Sequence, residues 1–194
     1  MTITISAVIL AGGKATRMNG QDKGLQLLHH KPLIQHVIER LQPQVHDISI
    51  NANRHQAEYA RYGFPVFADE LPDFQGPLSG MLTALNRAKS DFVLFTPCDS
   101  PFFPINLAEK LKSAVETRQV LLAYACDNER AHPVFCLIST KLAPDLSVYL
   151  QAGQRRLLQF MQANQAAAVI FDEKAGKFVN FNTLAELKTF HATD

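Results

Sequence analysis

Residues Leu10-Ala-Gly-Gly-Lys-Ala-Thr-Arg17-Met18, running on to Asp22-Lys23, place two glycines and the cations Lys14, Arg17 and Lys23 directly after an apolar run. This composition suits a polyphosphate. Gly12 and Gly13 lack Cβ, so successive N–H groups can turn toward anionic oxygens, while Lys14, Arg17 and Lys23 supply charge. The alternative is an ordinary strand-to-helix turn with solvated cations, and the clustering of charge favours the phosphate reading. The loop is not a Walker A motif, since no Gly-Lys-Ser/Thr follows, and it is not the dinucleotide Gly-x-Gly-x-x-Gly pattern.

A second group of residues has matching chemistry. Asp99 stands in Pro97-Cys-Asp-Ser-Pro101, just beyond the apolar run Asp91–Thr96. A carboxylate there gives a divalent metal a hard oxygen ligand, and Mg2+ typically binds through one or two carboxylates plus substrate phosphates. Asp99 is thus the metal candidate, against the plainer reading of a helix cap or Asx turn with Ser100. Asn51 and Asp69 also follow strand-like runs and should reach the same crevice, either to bind ligand or to cap helices. Asn180 and Asn182, two apart on an extended segment, should share a face and offer carboxamides to phosphate, sugar or metal. Arg155 and Arg156 could hold a second anionic substrate or be plain surface, and His132, before Pro133, is by default a structural or surface histidine.

The elements that must position these groups follow a βαβ succession. Strand-like runs at Ile3–Leu10, Asp47–Asn51, Pro65–Ala68, Asp91–Thr96 and Val120–Ala125 alternate with helical spacing at Leu33–Leu41, Arg54–Tyr62, Leu78–Lys89 and Ile105–Glu116. This predicts an α/β, three-layer αβα Rossmann-like domain with a mainly parallel mixed sheet and helices on both faces. In such a sheet the glycine loop, Asn51, Asp69 and Asp99 share the carboxyl rim, where ligands bind. Beyond about residue 125 the pattern loosens. Arg130–Ile138, Ala167–Phe171 and Phe178–Phe181 read as strands, and Ala143–Tyr149, Leu157–Ala163 and Leu184–Phe190 as helices.

Composition bounds the function. At 194 residues and 47% hydrophobic content, residues 1–194 are expected to form one domain with a sizeable core. A net charge of only +1 makes the loop cations local and argues against a nucleic-acid or lipid partner. Cys98, Cys126 and Cys136 are odd in number and far apart, which suggests reduced thiols and no zinc site. No segment reads as a signal peptide or membrane span, so a soluble, cytoplasmic protein is expected.

With Leu10-Ala-Gly-Gly-x-x-x-Arg17-Met18, Lys23 and Pro97-Cys-Asp-Ser-Pro101, the chain resembles the molybdenum cofactor guanylyltransferases of the nucleotidyltransferase superfamily. Asn51-Ala-Asn-Arg54, Gly76-Pro-Leu-Ser-Gly80, His132-Pro133, Gly153-Gln-Arg-Arg156 and Asn180-Phe-Asn-Thr183 extend the resemblance over nearly the whole length. It implies transfer of GMP from GTP to the molybdenum-molybdopterin cofactor, with Mg2+ required and pyrophosphate released. By matching position, Leu10, Ala11, Gly12 and Gly13 would line the GTP, with Lys23, Asn51, Asp69 and Asp99 completing that site. Lys23, Arg17 and Asp99 would be the catalytic groups, and Asp99 would hold Mg2+. Arg155, Arg156, Asn180 and Asn182 would meet the pterin cofactor. Ser100 stands where threonine is common and keeps the hydroxyl. The resemblance also admits other cofactor-biosynthesis or molybdoenzyme-maturation proteins as partners, and a monomer or weak oligomer. Ala11-Gly-Gly13 favours a guanine nucleotide over the cytidylyltransferases acting on the same cofactor; sugar-phosphate nucleotidyltransferases share the loop but carry sugar-binding motifs not found here.

Overall fold

The computed structural model describes residues 3–13, 22–71, 76–172, 176–181 and 183–191. Arg17 and Asn182, and with them Lys14, lie outside these residues. The strands are β1 (Ile5–Leu10), β2 (Leu27–Leu28), β3 (Lys31–Pro32), β4 (Ile48–Asn51), β5 (Val66–Phe67), β6 (Phe92–Pro97), β7 (Leu122–Cys126), β8 (Ala131–Ser139) and β9 (Ala167–Ile170). The helices are α1 (Leu33–Leu41), α2 (Gln56–Ala60), α3 (Pro77–Arg87), α4 (Leu107–Arg118), α5 (Ala143–Gln151), α6 (Leu157–Ala163) and α7 (Leu184–His191).

Seven strands form one sheet in the order β5-β4-β1-β6-β8-β7-β9. Every neighbouring pair is parallel except β6 with β8 and β8 with β7, so β8 alone runs against the others. Strands β2 and β3 make a separate small hairpin that leads into α1.

The two faces of the sheet explain the apolar runs. Ala7 and Ile9 of β1 pack into one core with α1, α4 and Tyr59 of α2, whereas Val8 packs into a second with α3, α5 and α6. Successive side chains leave a strand on opposite faces, so a strand covered on both sides must be apolar at every position. The helices bury matching stripes. In α4, Leu107, Ala108, Leu111, Ala114 and Val115 are buried at the i, i+1, i+4, i+7 and i+8 spacing of one helical face. Helix α3 opens with Pro77 at its first position, where the missing N–H has no intrahelical partner to lose. The expected three-layer αβα architecture is thus present.

Two expectations need correction. Segment Phe178–Phe181 is extended but is no strand; its backbone is tied to the loop after β6, through Lys177 N–H to the Phe102 carbonyl at 2.8 Å and Phe181 N–H to the Asp99 carbonyl at 2.9 Å. Its two aromatics, three positions apart, fill separate sockets instead of a pleat: Phe178 enters the first core, and Phe181 a small cluster with Leu28, Leu33 and Leu187. Helix α2 is also shorter than the predicted Arg54–Tyr62, because His55 before it is left-handed, with φ 51°.

Candidate active site

The chain runs from β1 outward to β4 and β5, then returns to place β6 on the other side of β1. Where strand order reverses in this way, the loops leaving the carboxyl ends part and a crevice opens. Register brings the pieces together there, since Leu10 is paired with both Asn51 of β4 and Pro97 of β6. The Ala11 N–H then donates to the Asn51 carbonyl at 2.8 Å, and the Cys98 N–H to the Leu10 carbonyl at 3.1 Å. A cleft of about 570 Å³ results, lined among others by Leu10, Gly12, Gly13, Asn51, Asp69 and Asp99. Ala11, between Leu10 and Gly12, is buried and is not among the lining residues, its N–H being taken up by the Asn51 carbonyl.

On one side of the cleft the polar groups hold one another. Asn51, almost wholly buried, donates from Nδ2 to Asp69 Oδ1 at 2.8 Å. Asn53 takes the Asp69 N–H on Oδ1 at 2.8 Å and donates from Nδ2 to the Gly12 carbonyl at 3.2 Å, while Arg54 donates to the Gly13 carbonyl at 3.3 Å. The strand-end loops after β1, β4 and β5 are therefore one network before any ligand arrives. Asn53 was not singled out from sequence as a site residue, although it stands in the Asn51-Ala-Asn-Arg54 motif.

Lys23 and Asp99, predicted separately, form an ion pair with Nζ to Oδ2 at 3.0 Å. Lys23 lies in a short 3-10 turn, Lys23–Leu25, and its side chain is 26% exposed against 13% for that of Asp99. Asp99 Oδ1 also accepts from the Ser100 hydroxyl at 3.3 Å, so the hydroxyl expected at position 100 is in use. Among the described residues no three His, Cys, Asp or Glu side chains gather into a cation cage. The donor set nevertheless suits a hard divalent cation: the Asp99 carboxylate, with the Asn180 amide on the same cleft, offers hard oxygens whose number a ligand's phosphates could complete.

The opposite wall comes from β8 and the Phe178–Phe181 segment: His132, Pro133, Val134, Phe135, Phe178 and Asn180 line the cleft. His132 is not a surface residue. Its Nε2 lies 2.5 Å from Asp127 Oδ2, and its ring stacks on Phe178 at 4.4 Å between centroids. Asp127 is held down to about 2, first by the His132 hydrogen bond and then by the Arg130 N–H, with the Glu129 N–H adding to it. Asp127 went unnoticed in the sequence; its signal was its position at the tight turn between two strands. Arg155 and Arg156 are exposed and do not line this cleft, and Arg155 donates to the Leu150 and Gln154 carbonyls at 2.7 and 2.6 Å.

Comparison with known proteins places this geometry. The family model described as the MobA-like NTP transferase domain matches residues 7–168. The molybdenum cofactor guanylyltransferase of Haemophilus influenzae (strain ATCC 51907 / DSM 11121 / KW20 / Rd) is 69% identical over 188 residues, covering 97% of this chain and 98% of its own. That of Pasteurella multocida (strain Pm70) is 60% identical over 189 residues, covering 97% and 100%. In fold, the crystal structure of molybdopterin-guanine dinucleotide biosynthesis protein A from Archaeoglobus fulgidus superposes with a TM-score of 0.80 at 22% identity, over 97% of both chains. A CMP:2-keto-3-deoxy-manno-octonic acid synthetase complexed with CTP reaches 0.77 at 14% identity, over 98% of both. The match over residues 7–168 and the identity to full-length relatives make this chain a member of the MobA-like NTP transferase family of nucleotidyltransferases.

Proposed function

We propose that this chain transfers GMP from GTP to the molybdenum-molybdopterin cofactor, releasing pyrophosphate in a Mg2+-dependent reaction. The reading takes residues 1–194 as one nucleotidyltransferase domain acting in the cytoplasm; no described helix is long and apolar enough to cross a membrane. The observation that carries it is the Lys23–Asp99 pair on the rim between β1 and β6, with Leu10–Gly13, Asn51 and Asp69 on one side and Asn180 on the other. A cation and a carboxylate 3.0 Å apart can serve a triphosphate and its counter-ion together.

In this reading GTP lies along Leu10, Ala11, Gly12 and Gly13, with Asn51 and Asp69 as further contacts. A terminal phosphate oxygen of the pterin attacks the α-phosphorus; a new P–O bond forms there, and the bond to the bridging oxygen breaks, its electron pair leaving with pyrophosphate. The phosphate nucleophile is already ionised near neutral pH, so the step needs no general base. Bringing two anions together is the main obstacle, and positioning with cation stabilisation lowers it. Lys23 and Arg17 offset charge as it shifts onto the leaving group. Asp99 would hold the divalent ion, which when bound supplies charge neutralisation at the phosphate oxygens. Asn180 and Asn182 meet the second substrate, and that half of the transfer admits contact with proteins of cofactor biosynthesis or molybdoenzyme maturation.

The test is pyrophosphate release by the purified protein from GTP and from CTP, each with molybdenum-molybdopterin, with a sugar phosphate, or with no acceptor. Release from GTP that depends on the pterin and on Mg2+ is expected. Equal or faster release from CTP would assign the chain to cytidylyl transfer, and release only with a sugar phosphate as acceptor would refute the pterin.

A further inference from the structure

Beside Lys23 lies a buried ionisable pair that the chemistry above does not use. Asp22 is 6% exposed and Tyr59 of α2 is fully buried. The Tyr59 hydroxyl donates to Asp22 Oδ1, an oxygen that also accepts the Gly24 N–H at 3.3 Å. The Asp22 carbonyl in turn accepts from Gln26 Nε2 at 2.9 Å and from the Leu25 N–H at 3.3 Å. The whole Lys23–Leu25 turn is thus wound around Asp22, and Tyr59 anchors Asp22 to α2.

The other flank of the turn is equally tight. A Cβ on Gly24 would stand 2.6 Å from Tyr59 Oη and 3.3 Å from Cys98 Sγ, so the turn is pressed between Tyr59 and the residue that precedes Asp99. Burial, reinforced by Cys98 and Asp22, pushes the Tyr59 hydroxyl far above its usual range and keeps it a donor. Burial likewise raises the Cys98 thiol, so the contact surface there stays neutral.

Lysine is a flexible four-carbon stem carrying a point charge, and the place its ammonium reaches depends on where its backbone is held. We propose that Tyr59, acting through Asp22, is a positioning residue that fixes the Lys23 backbone so that its ammonium meets the triphosphate and Asp99. The proposal rests on the reading of Lys23 as a triphosphate contact. A hydroxyl remote from the phosphates then acts on transfer only by way of Lys23.

A double-mutant cycle on the full chain, assayed for pyrophosphate release from GTP with molybdenum-molybdopterin, separates this from a purely structural tyrosine. Tyr59→Phe keeps the ring and removes the oxygen; kcat/KM should fall about tenfold, and in a Lys23→Ala background the same change should cost less than about twofold. Additive losses in the two backgrounds, or no loss with Lys23 present, overturn the proposal. Asp22→Asn keeps the volume and an acceptor oxygen for both donors, so it should fold and stay within about threefold of the parent, while Asp22→Ala should fall about tenfold. Equal losses in those two variants would mean that the charge of Asp22 matters and not its hold on the turn, which also refutes it. If Lys23→Ala alone leaves turnover intact, the triphosphate reading fails and takes the proposal with it, an outcome distinct from additivity.

Discussion

Substituting Gly80 by alanine sets two effects of opposite sign against each other. Gly80 lies in the interior of α3, where alanine gains about 1 kcal/mol of helix propensity over glycine. On propensity alone the variant should be more stable. A Cβ built there, however, would be 2.2 Å from Asn51 Oδ1, 2.9 Å from Asn51 Cγ and 3.2 Å from Asp69 Oδ1. Asn51 must retreat by about 1 Å to restore van der Waals separation, and packing of this density transmits such a shift. Its 2.8 Å bond to Asp69 cannot survive that movement intact. Overpacking costs about 1–3 kcal/mol, and a buried amide left poorly paired about 1–3 more. Clash and lost bond therefore outweigh propensity, and a net loss of about 2 kcal/mol corresponds to a Tm about 4–8 °C lower in a chain of this size. Because the displaced groups are proposed GTP contacts, GTP affinity should weaken about tenfold, a change of about 1.4 kcal/mol. Thermal melts and titration with GTP measure both. A Gly80→Ala protein at least as stable as the parent, with unchanged GTP affinity, would show that the close approach of α3 to Asn51 has no energetic weight.

Three further outcomes are expected. Lys23→Ala should lower kcat/KM by about two decades or more, as when a cation is removed from developing negative charge, and a loss under about threefold in steady-state assays would demote Lys23 to a surface residue. The Asp127 carboxyl falls from its usual 3.8 to about 2 in the folded chain, so between those values the unfolded chain binds more protons; its stabilisation is complete above about pH 4 and lost as pH falls through about 2. Urea titrations should accordingly show Asp127→Asn losing stability less steeply than the parent across that window, and parallel slopes would remove Asp127 from the account. Cys98 and Cys136 are buried with their thiols raised by that burial, so a thiol reagent should leave both unmodified until the chain unfolds, and mass spectrometry showing Cys98 labelled in the native protein would contradict its packing against Gly24.

How much of this was legible in the sequence depends on how local the signal is. Runs such as Ala7–Leu10 and Phe92–Phe95 are apolar at successive positions because both faces are covered, and a few residues suffice to see it. The rim residues Asn51, Asp69 and Asp99 were legible for the same reason, as each ends or follows such a run. Partnership was not. That Asn51 would bond Asp69, or that Lys23 would reach Asp99 across 76 positions, depends on register and turn geometry that no short window contains. The Phe178–Phe181 segment misled because a short, largely apolar run reports burial of any kind, and here two separate clusters supply it.

The antiparallel strand explains why the second half of the site was the harder to read. Only residues 127–130 link β7 to β8, far too few for a parallel crossover, so β8 must return antiparallel. Its pairing with β6 then brings the start of β8, not its end, to the rim where β6 delivers Asp99. A rule that looks for functional groups beyond the carboxyl ends of strands finds Gly12, Asn51, Asp69 and Asp99, and it passes over His132, the second residue of a strand running the other way. Reversal of a single strand thus lets one rim carry two walls of different origin: loops that leave strands and enclose the proposed nucleotide, and a strand that enters, with His132 braced by Asp127 and Phe178, on the side assigned to the acceptor.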